Sequence, residues 1–130
     1  MPEQRNRYRG SRPWLRLGFK APDGGVHQFD VVADTGSAAP IILSPELVQA
    51  LAYKENQERT SNFGKMTGGW VRLYCPELGL VEFTRAYGTE KVTELVKKSD
   101  PDFVGLVGLP ILRLTEYGGN ADEFWIRLPS

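Results

Sequence analysis

The chain has 130 residues, of which 41% are hydrophobic and 25% charged, and its 16 basic and 16 acidic side chains cancel at neutral pH. This length and composition are typical of one globular domain. The balanced charge gives no global field that attracts nucleic acid, so we expect no nucleic-acid partner. No apolar run approaches the ~18 residues of a membrane-spanning helix, so we expect no membrane segment.

Cysteine and histidine each occur once, as Cys75 and His27. One cysteine cannot form an intrachain disulfide, and one Cys with one His makes a zinc site of these ligands unexpected. We expect neither a metal site nor a cofactor. The lone cysteine and a polar N-terminus without an apolar signal core favour a cytoplasmic location.

Residues 1–12 contain four arginines and are predicted to form a flexible basic arm, followed by a single domain over residues 13–130. A solvated tail is the favoured interpretation of this arm. A contact with nucleic acid or with an acidic partner is the alternative.

The first half of the domain is predicted to be mostly strand. The alternation in "WLRLGF" predicts a strand, "APDGG" predicts a turn, and "VHQFDVVA" returns as a second strand. The segment "IIL" is a third, short strand. "SPELVQALA" is predicted to be a short helix with Ser44 as N-cap and Pro45 in the first helical position.

In the second half, "RTSNFGKMTGGWVRLYC" predicts a hairpin with Gly68–Gly69 at its tip, because paired glycines permit the turns that match strand twist. "LGLVEFTRAY" continues as strand. Residues 89–99 predict a short amphipathic helix with Val92, Leu95 and Val96 inward. "DFVGLVGLPILRL" is compatible with strand, turn or short helix, and "EFWIRLP" is the last strand.

The strongest chemical signal lies in "VVADTGSAAPIIL", where Asp34 ends an apolar run and is followed by Thr35, Gly36 and Ser37. A carboxylate at such a place is costly unless hydrogen bonds offset its desolvation. Gly36 lets the backbone turn sharply and brings amides near the acid. An ordinary polar turn is the alternative, and the apolar runs on both sides favour a deliberately presented carboxylate.

Four segments, in this order, resemble the retropepsin family, the single-domain aspartic proteases of retroviral type and their bacterial relatives. "RPWLRLGF" is similar to the first strand of the family, "VVADTGSAAPIIL" to its active-site loop, "GKMTGGWVRLY" to its glycine-tipped flap, and "FVGLVGLPIL" to the apolar element below the active site. The resemblance extends over residues 13–128, and the four segments together are more specific than Asp-Thr-Gly alone.

The resemblance implies a mostly β fold, the closed β-barrel of the acid proteases (half of pepsin) with one or two short helices, and the activity of an aspartic endopeptidase. Asp34 would be the catalytic acid, and the hydroxyl of Thr35 would anchor the active-site loops. Gly36 would bind the substrate main chain, and Ser37 would support the carboxylate. The flap over the substrate would consist of Met66, Thr67, Gly68, Gly69 and Trp70.

Three departures indicate a divergent relative. Retroviral members often carry an Arg after the second glycine of the late apolar element, paired to an Asp two places after the Asp-Thr-Gly glycine. Those positions are Leu109 and Ala38 in this chain. The flap segment has fewer glycines than the retroviral pattern, and the stretch over residues 89–102 is longer than the corresponding retroviral loop.

Peptide hydrolysis by carboxylates needs two of them, one ionised as general base on a water and one protonated to donate to the carbonyl oxygen. The chain has a single Asp-Thr-Gly. We therefore expect a two-fold homodimer in which each chain contributes Asp34. The strand edges near residues 14–19 and 124–128 are the candidates for this pairing. Trp125 and Ile126 are candidates for the buried interface, and a place in the core of one chain is the alternative for both.

The expected substrate is an extended peptide or polypeptide that binds as an added strand. Two other functions are weighed against the protease. One is a catalytically inactive barrel of the same fold that binds a peptide or partner. The other is an unrelated β domain that uses its basic arm on nucleic acid.

Overall fold

The computed structural model describes residues 2–53, 57–61 and 64–129, with the backbone alone at residues 57–61 and 64–66. Strand is the main secondary structure of these ranges, which also hold three short α-helices and one 3-10 turn. The helices are α1 Pro45–Leu51, α2 Glu90–Lys97 and α3 Leu109–Leu112, and the 3-10 turn is Pro76–Leu78. The strands are β1 Glu3–Arg7, β2 Trp14–Lys20, β3 Val26–Asp34, β4 Ile41–Leu43, β5 Gln57–Ser61, β6 Gly64–Cys75, β7 Leu80–Gly88, β8 Gly105–Gly108, β9 Glu116–Gly119 and β10 Glu123–Arg127.

Six strands close into a barrel in the order β2-β3-β8-β4-β7-β6, and β6 returns to β2 through the pairs Phe19–Leu73 and Lys20–Arg72. Strand β5 extends the sheet beyond β6. Two of the pairings inside the barrel, β3 with β8 and β4 with β7, are parallel. The predicted mostly β chain with a closed barrel is confirmed, and the described residues hold three short α-helices rather than the one or two expected.

The local signals of the first half are also confirmed. In β2 the side chains of Leu15, Leu17 and Phe19 are almost fully buried, as the alternation predicts. The Ser44 side chain accepts a hydrogen bond from the amide of Leu47, and Pro45 opens helix α1.

The N-terminal segment differs from the predicted flexible arm, because Glu3–Arg7 is strand β1 and pairs along its length with β10. With β9 these strands form a second, three-stranded sheet. The inward side chains of β1 are the amides Gln4 and Asn6, which donate to the backbone carbonyls of Arg16 and Trp14 in β2. The residues on both faces of β1 are therefore polar, and the sequence has no apolar alternation that would predict this strand.

The strand edges predicted to pair between two chains are occupied within one chain. Strand β10 is the central strand of its sheet, between β1 and β9. Strand β2 pairs with β3 on one side, while β6 and the amides of β1 occupy the other. Ile126 is buried in the core of the chain, and Trp125 lies half-buried against Gly118. The prediction that these two edges pair between chains is wrong.

The predicted hairpin tip is also wrong. Gly68 and Gly69 lie inside the 12-residue strand β6, where Gly68 pairs with Gln57 on one side and with Tyr87 on the other. Ser61 and Gly64 face each other in the antiparallel register of β5 and β6. Neighbouring strands on both sides hold the paired glycines extended, although glycine alone permits a turn.

The buried side chains form two clusters, a large one inside the barrel and a small one beneath helix α2. The small cluster consists of Val32, Val92, Val96, Phe103 and Leu106. Val92 and Val96 are each 8% exposed, as predicted for the inner side of this helix, whereas Leu95 is 54% exposed. The prediction that Leu95 points inward is therefore wrong.

Candidate functional site

Asp34 is the last residue of β3 and directly follows the buried run Val31, Val32 and Ala33. Its Oδ1 accepts a hydrogen bond of 2.9 Å from the amide of Gly36, and its own carbonyl accepts from the amide of Ser37 at 3.1 Å. The carboxylate is thus partly exposed and held at the start of a tight turn, as the sequence predicts.

Gly108 packs against the backbone of this turn. It faces Asp34 on the parallel neighbour β8, and its amide donates to the carbonyl of Pro40 at 2.8 Å. A Cβ at Gly108 would lie 2.0 Å from the carbonyl oxygen of Ala39 and 2.9 Å from that of Ser37. Only a glycine permits this close approach, so the segment "GLVGLPIL" fixes the position of the loop.

The Ser37 hydroxyl bonds to the backbone of its own loop. Ser37 donates its hydroxyl to the carbonyl of Ala39 at 3.0 Å, while the donor to the Asp34 side chain is the Gly36 amide. Thr35 and Gly36 are exposed. The four residues predicted for the active-site loop, Asp34 to Ser37, are therefore contiguous in space and partly open to solvent.

Beside Asp34 lies a cleft of about 590 Å³, a volume within the ~300–1,000 Å³ range of ligand sites. Its lining is mainly aliphatic, with Asp34 as the one carboxylate among the described lining residues. The aliphatic walls come from β3, β4, β8 and α2, through Val32, Ile42, Val92, Leu95, Val96 and Leu106.

A second, shallower cleft of about 280 Å³ borders the same loop. It is lined by the loop residues 35–38 and by Leu109, Pro110 and Arg113 at helix α3. Ala38 and Leu109, the two positions where retroviral members carry an ion pair, thus share one cleft.

The residues predicted as the flap lie elsewhere. Thr67 is buried, and Trp70 is 37% exposed, with the guanidinium of Arg85 at 5.5 Å from its ring centre. No residue of 67–70 is among the described side chains that line the cleft of Asp34. The backbone of Met66 pairs with Arg59 in β5, and its side chain lies outside the described part of the chain. The structure brings the loop residues together but does not bring residues 67–70 to them.

Arg9 ties the N-terminal segment to the loop after α2. Its guanidinium donates to Asp30 at 2.8 Å and to Asp100 at 2.9 Å, and it lies over the rings of Trp14 and Phe103 at 4.3 and 4.6 Å. The hydrogen bond from Arg9 lowers the pKa of Asp100. Burial alone would raise the pKa of Asp30, but the hydrogen bonds from Arg16 and Arg9 outweigh it and lower that pKa.

Sequence reasoning missed two parts of the cleft. Arg12 lines it, although residues 1–12 are predicted to be a free arm, and Leu95 lines it, although the helix pattern predicts this side chain inside. The amphipathic pattern of residues 89–99 was the available signal, because it places an apolar stripe on a helix without showing which part a neighbour covers.

No family model, curated protein or solved structure matches the chain. Within residues 2–53, 57–61 and 64–129, no cluster of three His, Cys, Asp or Glu side chains is arranged to hold a metal ion. None of the helices in those ranges has the length and apolar character needed to cross a membrane. The resemblance to retropepsins therefore stays a prediction that rests on the four segments and on the geometry of the Asp34 loop.

Proposed function

We propose that this chain is a retropepsin-like aspartic endopeptidase that works as a homodimer, with one Asp34 from each subunit. The observation that carries the proposal is the placement of Asp34. The carboxylate follows the buried run Val31, Val32 and Ala33, accepts the Gly36 amide and opens on an apolar cleft of about 590 Å³. A partly exposed carboxylate that is held by an amide at the edge of an apolar cleft can take part in acid–base chemistry.

The need for a second subunit follows from the count of carboxylates. Asp34 is the one acid among the described residues that line its cleft, and the reaction requires two carboxyls that share a proton. Thr35, Gly36 and Ala38 are exposed on the loop, beside the shallow cleft at Leu109. A two-fold axis at this loop would bring two identical carboxyls together and cover both exposed surfaces.

In the proposed reaction the ionised Asp34 takes a proton from a water, whose oxygen attacks the carbonyl carbon of the peptide bond. The protonated Asp34 of the other subunit gives its proton to the carbonyl oxygen. The resulting tetrahedral diol then breaks its C–N bond. One carboxyl donates its proton to the leaving nitrogen, and a hydroxyl of the diol gives a proton to the other carboxylate, which yields an acid and an amine and restores the starting pair. This proposed reaction uses no cofactor. The two pKa values that govern it belong to the pair of carboxyls.

The test is cleavage of an unstructured peptide library at about pH 4 to 7, the range where a shared-proton dyad works, read by mass spectrometry. Asp34→Asn should abolish cleavage. Asp23→Asn is the matched control, because Asp23 also accepts an amide hydrogen bond from the glycine two residues on, at 2.8 Å, in an exposed turn. Cleavage that persists in Asp34→Asn would refute the proposal.

A peptide-binding barrel without catalysis is the second candidate, favoured by the finding that residues 67–70 do not line the cleft of Asp34. A statine peptide, which mimics the tetrahedral diol, separates the two functions. The protease should bind it more tightly than the matching substrate peptide. Equal binding of both peptides without cleavage, by a folded dimer, would favour the binding module.

A further inference from the structure

The outer face of the paired strands β6 and β7 carries aromatic and basic side chains. On β6 the residues of this face alternate with Val71 and Leu73, which are fully buried in the barrel. Residues that pair across two strands point to the same side of a sheet. The register therefore assembles one outer surface, which we call the β6–β7 face, from Trp70, Arg72 and Tyr74 of β6 and Phe83, Arg85 and Tyr87 of β7.

The aromatic rings of the β6–β7 face are regularly spaced. In the register of the two strands they occur at every second pair, in the order Tyr87, Trp70, Phe83 and Tyr74, which is a step of ~7 Å along the strands. Phe83 is 55% exposed and Trp70 is 37% exposed. Exposed aromatic side chains that follow one another on a surface are typical of an interaction site.

The arginines of the face are held by these rings. The guanidinium of Arg85 lies 5.5 Å from the ring centre of Trp70 and 5.6 Å from that of Tyr87. Arg72 lies in the same way over two further rings of the face, at 5.7 and 5.8 Å. Such contacts fix the position of a guanidinium and leave its positive charge without a counter-charge.

The β6–β7 face has no acid to balance its cations. Lys20 of β2 adds a third positive charge, because it pairs with Arg72. Among the described residues, none of Lys20, Arg72 and Arg85 forms an ion pair, and Nη2 of Arg85 has no hydrogen-bond partner there. Strands β2 and β6 contain no acid. The one acid of β7, Glu82, pairs with the buried Leu73 and so lies on the other side of the sheet.

We propose that the β6–β7 face binds single-stranded nucleic acid. Bases stack on the exposed rings of Trp70 and Phe83, and backbone phosphates bind at Lys20 and Arg72. A single strand offers both flat bases and negative charges, the combination that aromatic side chains in a basic groove recognise. An acidic peptide would match the cations but would leave the rings uncovered.

This inference is independent of the proposed endopeptidase function, since it uses none of the residues of the Asp34 loop. It also limits the expectation that the chain has no nucleic-acid partner. That expectation rests on a net charge of zero, which describes the long-range field of the whole chain. The acids that balance the charge are absent from the β6–β7 face, so the local field there is positive.

The experiment measures the binding of a fluorescein-labelled oligothymidylate of about 12 nucleotides by fluorescence anisotropy. For the wild type we expect a Kd of roughly 1–100 μM, the range of binding without sequence preference. Phe83→Ala removes an exposed ring and should weaken binding about tenfold, the effect of losing one stacked base. Arg72→Gln should weaken binding and reduce the slope of log Kd against log salt by about 0.7, the value for one phosphate contact on a single strand.

Tyr117→Ala and Arg5→Gln are the matched controls. Tyr117 is an aromatic residue of β9 that is 36% exposed. Arg5 lies over an aromatic ring at 5.8 Å, as Arg72 does, but it is paired with two glutamates at 3.5 and 3.6 Å. Both variants should keep the wild-type Kd. Because Arg5 belongs to the arginine-rich N-terminal segment, its variant also tests whether that segment is the binding site. Circular dichroism shows that each variant is folded.

Each outcome decides the proposal. Weaker binding by Phe83→Ala and Arg72→Gln, with both controls unchanged, supports it. A folded wild type that does not bind the oligonucleotide at low salt would overturn it, as would a Phe83→Ala variant with the wild-type Kd. Displacement of the oligonucleotide by poly-glutamate at the same concentration of charge would also overturn it, because the face would then bind acidic chains in general. An equal loss in Arg5→Gln would place the binding site on the N-terminal segment instead.

Discussion

Asp34 and Gly108 face each other on the parallel strands β3 and β8, and the loop that begins at Asp34 folds back over the glycine. The Gly108 amide donates to Pro40, and the Leu109 amide donates to Ser37. The loop that begins at Asp34 and the segment around Gly108 are therefore one structural unit, although the two residues lie 74 positions apart in the sequence.

Gly108→Ala should disrupt this unit. The added methyl would lie 2.0 Å from the Ala39 carbonyl oxygen, so the loop must move, and we expect a loss of about 3 kcal/mol in the free energy of unfolding. Urea denaturation measures it. Gly24→Ala is the comparison, because its methyl would meet no atom within 4 Å and only its φ of +91° opposes the change, at a cost of about 1 kcal/mol. Equal losses in the two variants would contradict the steric argument.

Arg9→Met should destabilise the protein although it leaves the hydrophobic stem in place. The change removes two hydrogen bonds to carboxylates and the contact with the rings of Trp14 and Phe103. We expect a loss of about 2 kcal/mol at neutral pH. Arg5→Met is the control, because the pairs of Arg5 with Glu3 and Glu123 are long, at 3.5 and 3.6 Å, and more exposed. Their loss should cost under about 0.5 kcal/mol. Similar losses for both arginines would show that Arg9 is an ordinary surface residue.

Stability should fall with acid through Asp30 and Asp100. Both carboxyls have a pKa below the ordinary value of 3.8, so their contribution is present above that value and is lost as the pH falls through the lowered folded-state pKa. The difference in unfolding free energy between wild type and Asp30→Asn should therefore shrink between about pH 5 and pH 2. Urea curves at several pH values measure it. A difference that stays constant over this range would rule out ionised Asp30 as its source.

Mixing subunits tests the shared site directly. If wild-type and Asp34→Asn chains exchange freely at equal amounts, about a quarter of the dimers keep two Asp34 carboxyls. Cleavage per wild-type chain should then fall to about half, because half of those chains are paired with an Asn subunit. Wild-type chains that keep full activity per chain in the mixture would mean that each site works alone.

Local sequence patterns predicted the elements whose signals lie within a few residues. The alternation of β2, the Ser44 cap of α1 and the Asp34 turn are of this kind. Strand β1 was missed because its inward residues are amides that bond to the backbone of β2. The Gly68–Gly69 tip was misplaced because partners on β5 and β7 extend those glycines, and such partners leave no local trace.

The candidate site also has one part that the local sequence predicts and one part that it does not. Its acid and the turn that holds it are readable from the four consecutive residues Asp34 to Ser37, since glycine and hydroxyl residues after a buried run act locally. The pocket wall is set by distant contacts. Arg9 reaches Asp100 across 91 positions of the chain, and the exposed side of α2 is decided by which strands the helix covers. The periodicity of the sequence predicts the apolar stripe of such a helix, but it does not predict which elements pack against the stripe.

Cys75, the only cysteine of the sequence, is the last residue of β6, the strand that closes the barrel onto β2. The Cys75 Sγ accepts the Gly18 amide at 3.1 Å, and burial raises the pKa of this thiol. The closed barrel thus buries its one thiol beside two register pairs, Phe19–Leu73 and Lys20–Arg72. A thiol reagent can attack Cys75 only after these strands separate. The rate at which a thiol reagent labels Cys75 therefore reports the rate at which the barrel opens.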